Sequence, residues 1–418
     1  MSTHIDKRRS YRAALSVLFL DNLGLSVVYP IFTPLVLQPI YDLLPHGYSL
    51  SHRMLLLGLL IASFPFMQFL GGPVMGHIAD KRGRRFGFTI ALLGEAIGFF
   101  LTGLGIAIKN YPFVVFSRLF SGFFAGNFTI CLSTITDIHC DLKDRAKAFG
   151  TVASVAGISF VVAIAMGGIL SNDALSKVFN SSLPFWIITA LSLFNILVIW
   201  KAFSETQHAP TPISGVYKSQ IIELIGILRA SNLRILYPLF FFFMVGWIVS
   251  LQFLSSFLLE HFHGTKTMIT TLFISVGIAW CISNMWLERI LIRAYSPLKI
   301  LSISLLLATL TLFTASEVRV YYLFFHFILF TSVFASLVWT NCLALISIKA
   351  PNYLQGKLLG INQSVATLSM MVAPLFGAYI GRFDIRTIYL FASSSLLLSS
   401  LILFLFRKKL KQNTKNSF

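Results

Sequence analysis

Charge is scarce in this sequence, and acidic charge scarcer than basic. Of 418 residues, 15 are Asp or Glu and 33 are Lys or Arg, together 11% of the chain. Soluble domains carry about a quarter charged residues. With 56% hydrophobic residues and a mean hydropathy of +0.80, an ordinary water-soluble fold is excluded. Cysteine is also rare: Cys131, Cys140, Cys281 and Cys342 are scattered without CxxC spacing. Neither a disulfide framework nor a zinc site is indicated, and the four read as small apolar packing residues. No Ser/His/Asp order, metal-ligand spacing or phosphate-binding Gly loop stands out. The sequence therefore gives no reason to expect an enzyme or a cofactor. The pair His261 and His263 lies at the edge of an outer connector, and no metal site is read there.

What the chain does have is long apolar runs, each close to the roughly 20 residues that cross a ~30 Å hydrocarbon layer as a helix. Twelve are expected, at 13–40, 54–78, 86–108, 112–136, 149–170, 183–202, 236–259, 268–287, 298–316, 320–346, 358–380 and 388–406. The connectors are short except 203–235, which holds "HAPTPISG" and then an amphipathic stretch. The expected organisation is an all-α membrane protein with a six-helix bundle over 1–202, a connector over 203–235 and a second six-helix bundle over 236–418. The N-terminal "MSTHIDKRRSYR" precedes a run too long for a signal peptide and without a small-residue cleavage site, so it is expected to stay as the first span.

A net charge of +18 would suggest nucleic acid in a soluble protein, but its location says otherwise. Alternating the connectors between two sides puts 25 Lys and Arg on the side of the N-terminus and 7 on the other. That asymmetry is the positive-inside rule. It places both termini and the 203–235 connector in the cytoplasm, in a multi-pass protein of the cytoplasmic (inner) membrane. The expected partner at this point is the lipid bilayer, with no nucleic acid, and the chain is expected to be a monomer.

The densest charge cluster is "GHIADKRGRRFG", residues 76–87. Gly76, Asp80, Lys81, Gly83, Arg84 and Arg85 have the spacing Gly-x-x-x-Asp-Lys-x-Gly-Arg-Arg, which resembles the signature loop of the major facilitator superfamily. The resemblance extends to "LDNLGLSVVYP", with Asp21, Gly24 and Pro30, and to "SRLFSGFFAG", with Arg118, Gly122 and Gly126. It further includes "TDIHCDLKDRAKAFG", with Asp137, Arg145 and Gly150, and the "FSET" that follows the sixth run. These are similar to the twelve-helix drug:proton antiporters, including tetracycline exporters. The second half repeats the first: Asn284, Glu288, Arg289 and Arg293 parallel Gly76, Asp80, Lys81 and Arg85. "KAFG" at 147–150 and "AIAMGG" at 163–168 share an offset of 210 residues with "KLLG" and "APLFGA". Internal repeats of this kind are expected of secondary transporters.

The resemblance implies a transporter working by alternating access, with a cavity between its halves and proton-coupled export of a small organic compound. It also implies a cytoplasmic gate made by Gly76, Asp80, Lys81, Gly83, Arg84, Arg85, Asp137, Arg145, Glu288 and Arg293. One departure from the family pattern is that Ala163 and Ile164 stand where these antiporters carry Gly-Pro in the fifth helix. This favours a second reading, proton-coupled uptake of a metabolite, nutrient or metal chelate. A third is a membrane sensor that keeps the fold without transport.

Ionisable groups inside apolar spans are costly and are functional candidates by default. Asp21 lies about 9 residues past Arg12, or ~14 Å into its helix. Glu95, 10 residues past Arg85, reaches a similar depth of roughly 15 Å. Both are candidate proton carriers. The alternatives are a packing hydrogen bond for Asp21 and a permanently protonated Glu95. Arg118 cannot shed its proton and needs an anion, either a working partner or a purely structural one. Its depth, about 9 Å from the outer end by helical rise, argues against a direct pair with Glu95. Asp21, Arg118, Gln68, Trp247, Gln252, His326, Trp339 and Asn341 are candidates for a mixed aromatic and polar substrate cavity.

Overall fold

The computed structural model describes residues 4–138, 142–173, 175–206, 235–349 and 355–412. Among the described residues there is no strand. The chain forms two compact units, Met1–Ile213 and Ser214–Phe418, so the division falls within the expected connector. Residues 207–234 of that connector lie outside the described residues, as does Cys140.

The first unit runs through α1 (His4–Ser26), α2 (Tyr29–Leu37), α3 (Leu50–Arg82), α4 (Arg84–Ala107), α5 (Tyr111–Phe124), α6 (Asn127–Ile138), α7 (Leu142–Leu170) and α8 (Leu183–Ala202). The second has α9 (Leu236–Gln252), α10 (Leu254–Phe262), α11 (Lys266–Ile282), α12 (Glu288–Ala294), α13 (Pro297–Glu317), α14 (Tyr321–Lys349), α15 (Gln355–Gly381) and α16 (Arg386–Gln412). Several of these pair end to end into one crossing, as α1 with α2 and α5 with α6 do. Among the described residues, ten helical stretches are long and apolar enough to cross a membrane. The pair α9 and α10, bent by 49°, passes the same test only when taken together. The apolar part of α7, Ser154–Leu170, falls just short in length and occupies the expected fifth run. The twelve-helix pattern is thus consistent with the helices present.

Local chemistry sets the breaks. Pro30 occupies the first turn of α2, where a missing N–H costs nothing. Side-chain oxygens of Ser49, Asn110 and Thr265 accept from the first-turn amides of α3, α5 and α11, satisfying donors that a helix leaves open. Gly83, at φ +97°, ends α3 in a conformation that a side chain resists.

Helix packing in the first unit depends on absent side chains. A Cβ on Gly71 of α3 would strike the Phe123 backbone of α5, and one on Gly122 would strike the Phe64 carbonyl of α3. On α4, Gly98 abuts Ser121, and Gly94 lies under the Phe124 ring. In a membrane, where apolar attraction between helices is absent, such close approach supplies the packing. It seats α5 in the groove between α3 and α4. Below it, Ala14, Leu18, Met75, Phe88, Leu92, Ile130, Ile135, Ile199 and Phe203 form one buried cluster. Large apolar side chains such as Phe116, Phe194, Leu197 and Phe404 point outward, as lipid contact requires.

At the end of α3 remote from Gly83, Asp42 accepts from Lys109 Nζ at 2.7 Å and pairs with His46 Nε2 at 2.9 Å. The clasp joins the α2–α3 connector to the α4–α5 turn, and both Asp42 and Lys109 have left-handed φ values, 53° and 55°. Nearby, buried Arg53 donates to the carbonyls of Val36, Pro45 and Tyr48 at 2.9, 2.8 and 3.2 Å, so this arginine is satisfied by backbone alone.

Two expectations follow. Gly71→Val should lower the thermal midpoint of the purified protein by an amount corresponding to at least the roughly 1–3 kcal/mol typical of overpacking. Gly72→Ala, which meets nothing within 4 Å, should leave it unchanged; equal midpoints for the two would contradict the packing account. The hydrogen bond and charge of Lys109 hold the Asp42 carboxyl below its usual range. Its folded-state affinity for a proton is lowered, so its contribution is present above the ordinary carboxylate range and is lost as pH falls through the folded-state value. The gap in thermal midpoint between wild type and Asp42→Asn should be seen at neutral pH and close on acidification; a gap that widens in acid would be the opposite result.

Candidate functional site

Three of the expected residues converge in the interior of the first unit. Asp21 on α1 faces Glu95 on α4, and Asn127, the first residue of α6, lies beside both. All are buried, with Glu95 1% exposed. Neither Glu95 oxygen, nor Asp21 Oδ1, nor either amide atom of Asn127 has a well-formed hydrogen bond among the described residues. Gly24, one turn beyond Asp21, leaves the space into which the Phe99 ring projects.

Arg118 comes from α5, one turn before Gly122, and is 2% exposed. Its guanidinium carbon stands 4.4 Å from the Phe64 ring centroid, with Phe32 and Phe99 at 5.7 and 5.8 Å. Nε and Nη1 have no hydrogen-bond partner among the described residues. Glu95 and Tyr29 are within electrostatic reach, yet no ion pair holds the arginine among the described residues. The cation therefore rests on aromatic faces, an interaction worth about 2 kcal/mol or more when desolvated. What gathers here is two carboxyls, an amide and a cation, each short of partners in a water-poor interior.

Sequence reasoning singled out Asp21, Glu95 and Arg118 because ionisable residues interrupt apolar runs. It missed Asn127, Tyr29, Phe32, Phe64 and Phe99. Asn127 had a signal, an amide placed directly after Gly126. The aromatics had none, since 41 Phe residues look alike in an apolar helix. Gln68 is half-buried and donates from Nε2 to the Ala125 carbonyl at 3.2 Å, at the α5–α6 break.

The signature-loop residues form a second assembly. Arg84 Nη1 pairs with Asp80, and its Nε with Asp137 Oδ2 at 3.1 Å. Arg85 donates to the Trp200 carbonyl and lies 4.6 Å from the Trp200 ring centroid. Glu205, from "FSET", accepts from the backbone N–H of Arg84 at 2.8 Å and of Arg85 at 3.2 Å. An anion at the start of α4 complements the helix dipole. A Cβ on Gly83 would collide with that carboxylate. Gly76 lies against the Thr129 methyl, while Lys81 is exposed. Arg145 is carried by α7, and its side chain lies outside the described residues.

In the second unit, Trp247, Trp280 and Trp339 form an array. Trp247 stacks on Trp280 at 5.4 Å and 19°, and Trp339 follows at 6.3 Å. Trp280 was not anticipated. Gln252 is buried, with Oε1 unpartnered among the described residues. His326, also expected to contribute to a substrate cavity, is exposed, and its ring bonds the Tyr322 carbonyl one turn back at 2.7 Å. Asn341 and Glu288, expected in a cavity and a gate respectively, touch each other. Asn341 Nδ2 approaches the two Glu288 oxygens at 3.1 and 3.0 Å. Arg293 is exposed.

The sequence model of the Major Facilitator Superfamily matches residues 14–316 and, overlapping, 236–418. The chain is 24% identical to multidrug resistance protein 1 of Bacillus subtilis over 393 residues, 91% of this chain and 92% of that one. It is 25% identical to the class H tetracycline resistance protein of Pasteurella multocida over 194 residues, 46% of this chain and 44% of that one. The solved structure of the human organic anion transporter MFSD10 superposes with a TM-score of 0.73 at 18% identity, covering 95% of this chain and 99% of the other. That likeness is one of fold.

Proposed function

The chain belongs to the major facilitator superfamily, and from that premise we propose that it is a secondary transporter exporting small organic compounds in exchange for protons. The carrying observation is the buried Asp21–Glu95 contact beside an Arg118 that has no ion pair among the described residues. Two carboxylates side by side repel, and a proton bound between them removes that repulsion. With Glu95 ionised, Arg118 has an anion to attract it. With Glu95 neutral, it keeps only its aromatic faces. Binding one proton thus changes what holds α4 to α5, and a transporter needs such a differential to bias its conformations.

The relatives named for multidrug and tetracycline resistance support an organic substrate. In the second unit, the Trp247–Trp280–Trp339 array offers π faces that suit flat ring compounds. The signature-loop assembly of Asp80, Gly83, Arg84, Arg85 and Asp137 serves as the cytoplasmic latch. The protein acts as a monomer in the cytoplasmic membrane, with both termini inside. Uptake is the second reading, favoured by Ala163 and Ile164 in place of a Gly-Pro pair.

The test uses oriented proteoliposomes, an imposed proton gradient, and tetracycline with a panel of fluorescent aromatic dyes. Export predicts counterflow of dye against protons, with Asp21→Asn and Glu95→Gln each lowering the gradient-driven rate at least about tenfold, the equivalent of 1.4 kcal/mol. Accumulation of solute along with protons would replace antiport by symport. Flux indifferent to the gradient, or unchanged in both variants, would overturn the proton-coupling role.

A further inference from the structure

The second unit carries a buried acid that the reading above leaves unused. Between α11 and α12 the helix widens for one π turn, Ser283–Leu287, a feature that concentrates at functional sites. Glu288 follows it immediately and is 7% exposed. Helix α14 fastens to this segment twice in succession: Thr340 Oγ1 donates to Asn284 Oδ1 at 2.6 Å, and Asn341 Nδ2 reaches both Glu288 oxygens. In the repeat, Glu288 occupies the place of Asp80. Asp80 has Arg84 as a counterion, whereas Glu288 forms no ion pair among the described residues.

The surroundings of the carboxyl contain little charge. Arg289 and Arg293 on its own helix are exposed. The packed elements α11, α13 and α14 carry Lys266, Cys281, Lys299, Glu317, Tyr321, Tyr322, His326 and Cys342, and also Lys349, whose side chain lies outside the described residues. None of the described groups perturbs Glu288, whose only side-chain partner among the described residues is Asn341. An ionised carboxylate buried on a neutral amide carries a desolvation cost that taking up a proton removes.

The amide is arranged so that it can respond. Asn341 is fully buried, and Nδ2 uses one hydrogen on the carboxylate and the other on the Leu337 carbonyl at 2.9 Å. Its Oδ1 has no partner among the described residues. A carboxylate only accepts hydrogen bonds, and the NH₂ group suits it. A protonated carboxyl carries an O–H donor that wants an acceptor. Turning the amide over brings Oδ1 to that proton and releases Nδ2 from Leu337. The step is the binding of one proton to a Glu288 oxygen, with no other bond made or broken covalently.

We propose that Glu288 is a second proton-binding site of this transporter, located in the second unit, and that Asn341 is its positioning residue, reading the charge by reorienting its amide. The proposal rests on the transporter reading above, but its test does not depend on a substrate. Full-length protein is purified in detergent, and pH-difference infrared spectra are recorded for wild type, Glu288→Gln, Asn341→Ser and the double variant Asp21→Asn/Glu95→Gln.

The expected result is a protonated-carboxyl C=O band that grows on acidification and loses one carboxyl's intensity in Glu288→Gln. Asn341→Ser, which keeps the acid and removes the amide, should retain the intensity, shift its pH midpoint and lose the accompanying Asn amide change. Full carboxyl intensity in Glu288→Gln at every pH would overturn the site, as would an unmoved midpoint in Asn341→Ser for the reorienting role. The double variant separates the two readings: its own missing intensity reports on Asp21 and Glu95, whatever Glu288 does. If Glu288→Gln fails to fold, Asn341→Ser still decides.

Discussion

Burying charge where water cannot follow is the constraint on which this structure turns. An isolated ion in a low-dielectric interior is so costly that it must be paired, hydrogen-bonded or neutralised. The spans hold few such groups, and each finds an unusual partner. Asp21 and Glu95 face each other. Arg118 lies against Phe64, Phe32 and Phe99. Glu288 leans on an amide. Arg53 shows the contrasting case: all three of its nitrogens donate to backbone carbonyls, which ties it to a connector.

Close helix packing makes the first of these sites possible. Gly122 and Gly71 bring α5 against α3, and Gly98 brings it against α4. The same approach that excludes water delivers Arg118 to the Phe64 ring and to the neighbourhood of Glu95. The two repeats then diverge in their electrostatics. The first ends α3 at Gly83 and surrounds Arg84 with Asp80 and Asp137. The second continues through a π turn and leaves its acid without a cation among the described residues.

Much of the fold was legible because a span is a composition, and twenty apolar residues announce themselves without any knowledge of their neighbours. The 49° bend near Phe253 and the π turn were not, since neither break holds a Pro or Gly to signal it. Asp21, Glu95 and Arg118 were legible as ionisable intruders in apolar runs. Phe64 and Trp280 were invisible because an aromatic that holds a cation or a stack has the same letter as one that faces lipid. Helical phase separates two of the expected residues: His326 stands thirteen residues from Trp339, about 3.6 turns, which puts it toward the opposite face of α14. The role of Glu205 was hidden because its partner is the backbone of α4, 120 residues away.

The central claim is that the buried acid and the buried cation of the first unit are one electrostatic unit, despite the lack of an ion pair between them. The direct measurement is a double-mutant cycle on thermal stability with Glu95→Gln and Arg118→Gln. Removing either charge strands the other, so the two single variants should each lower the midpoint, and the double variant should recover part of the combined loss, a coupling of roughly 0.5–3 kcal/mol. Strict additivity of the two losses would show that Glu95 and Arg118 act independently, and would contradict the account.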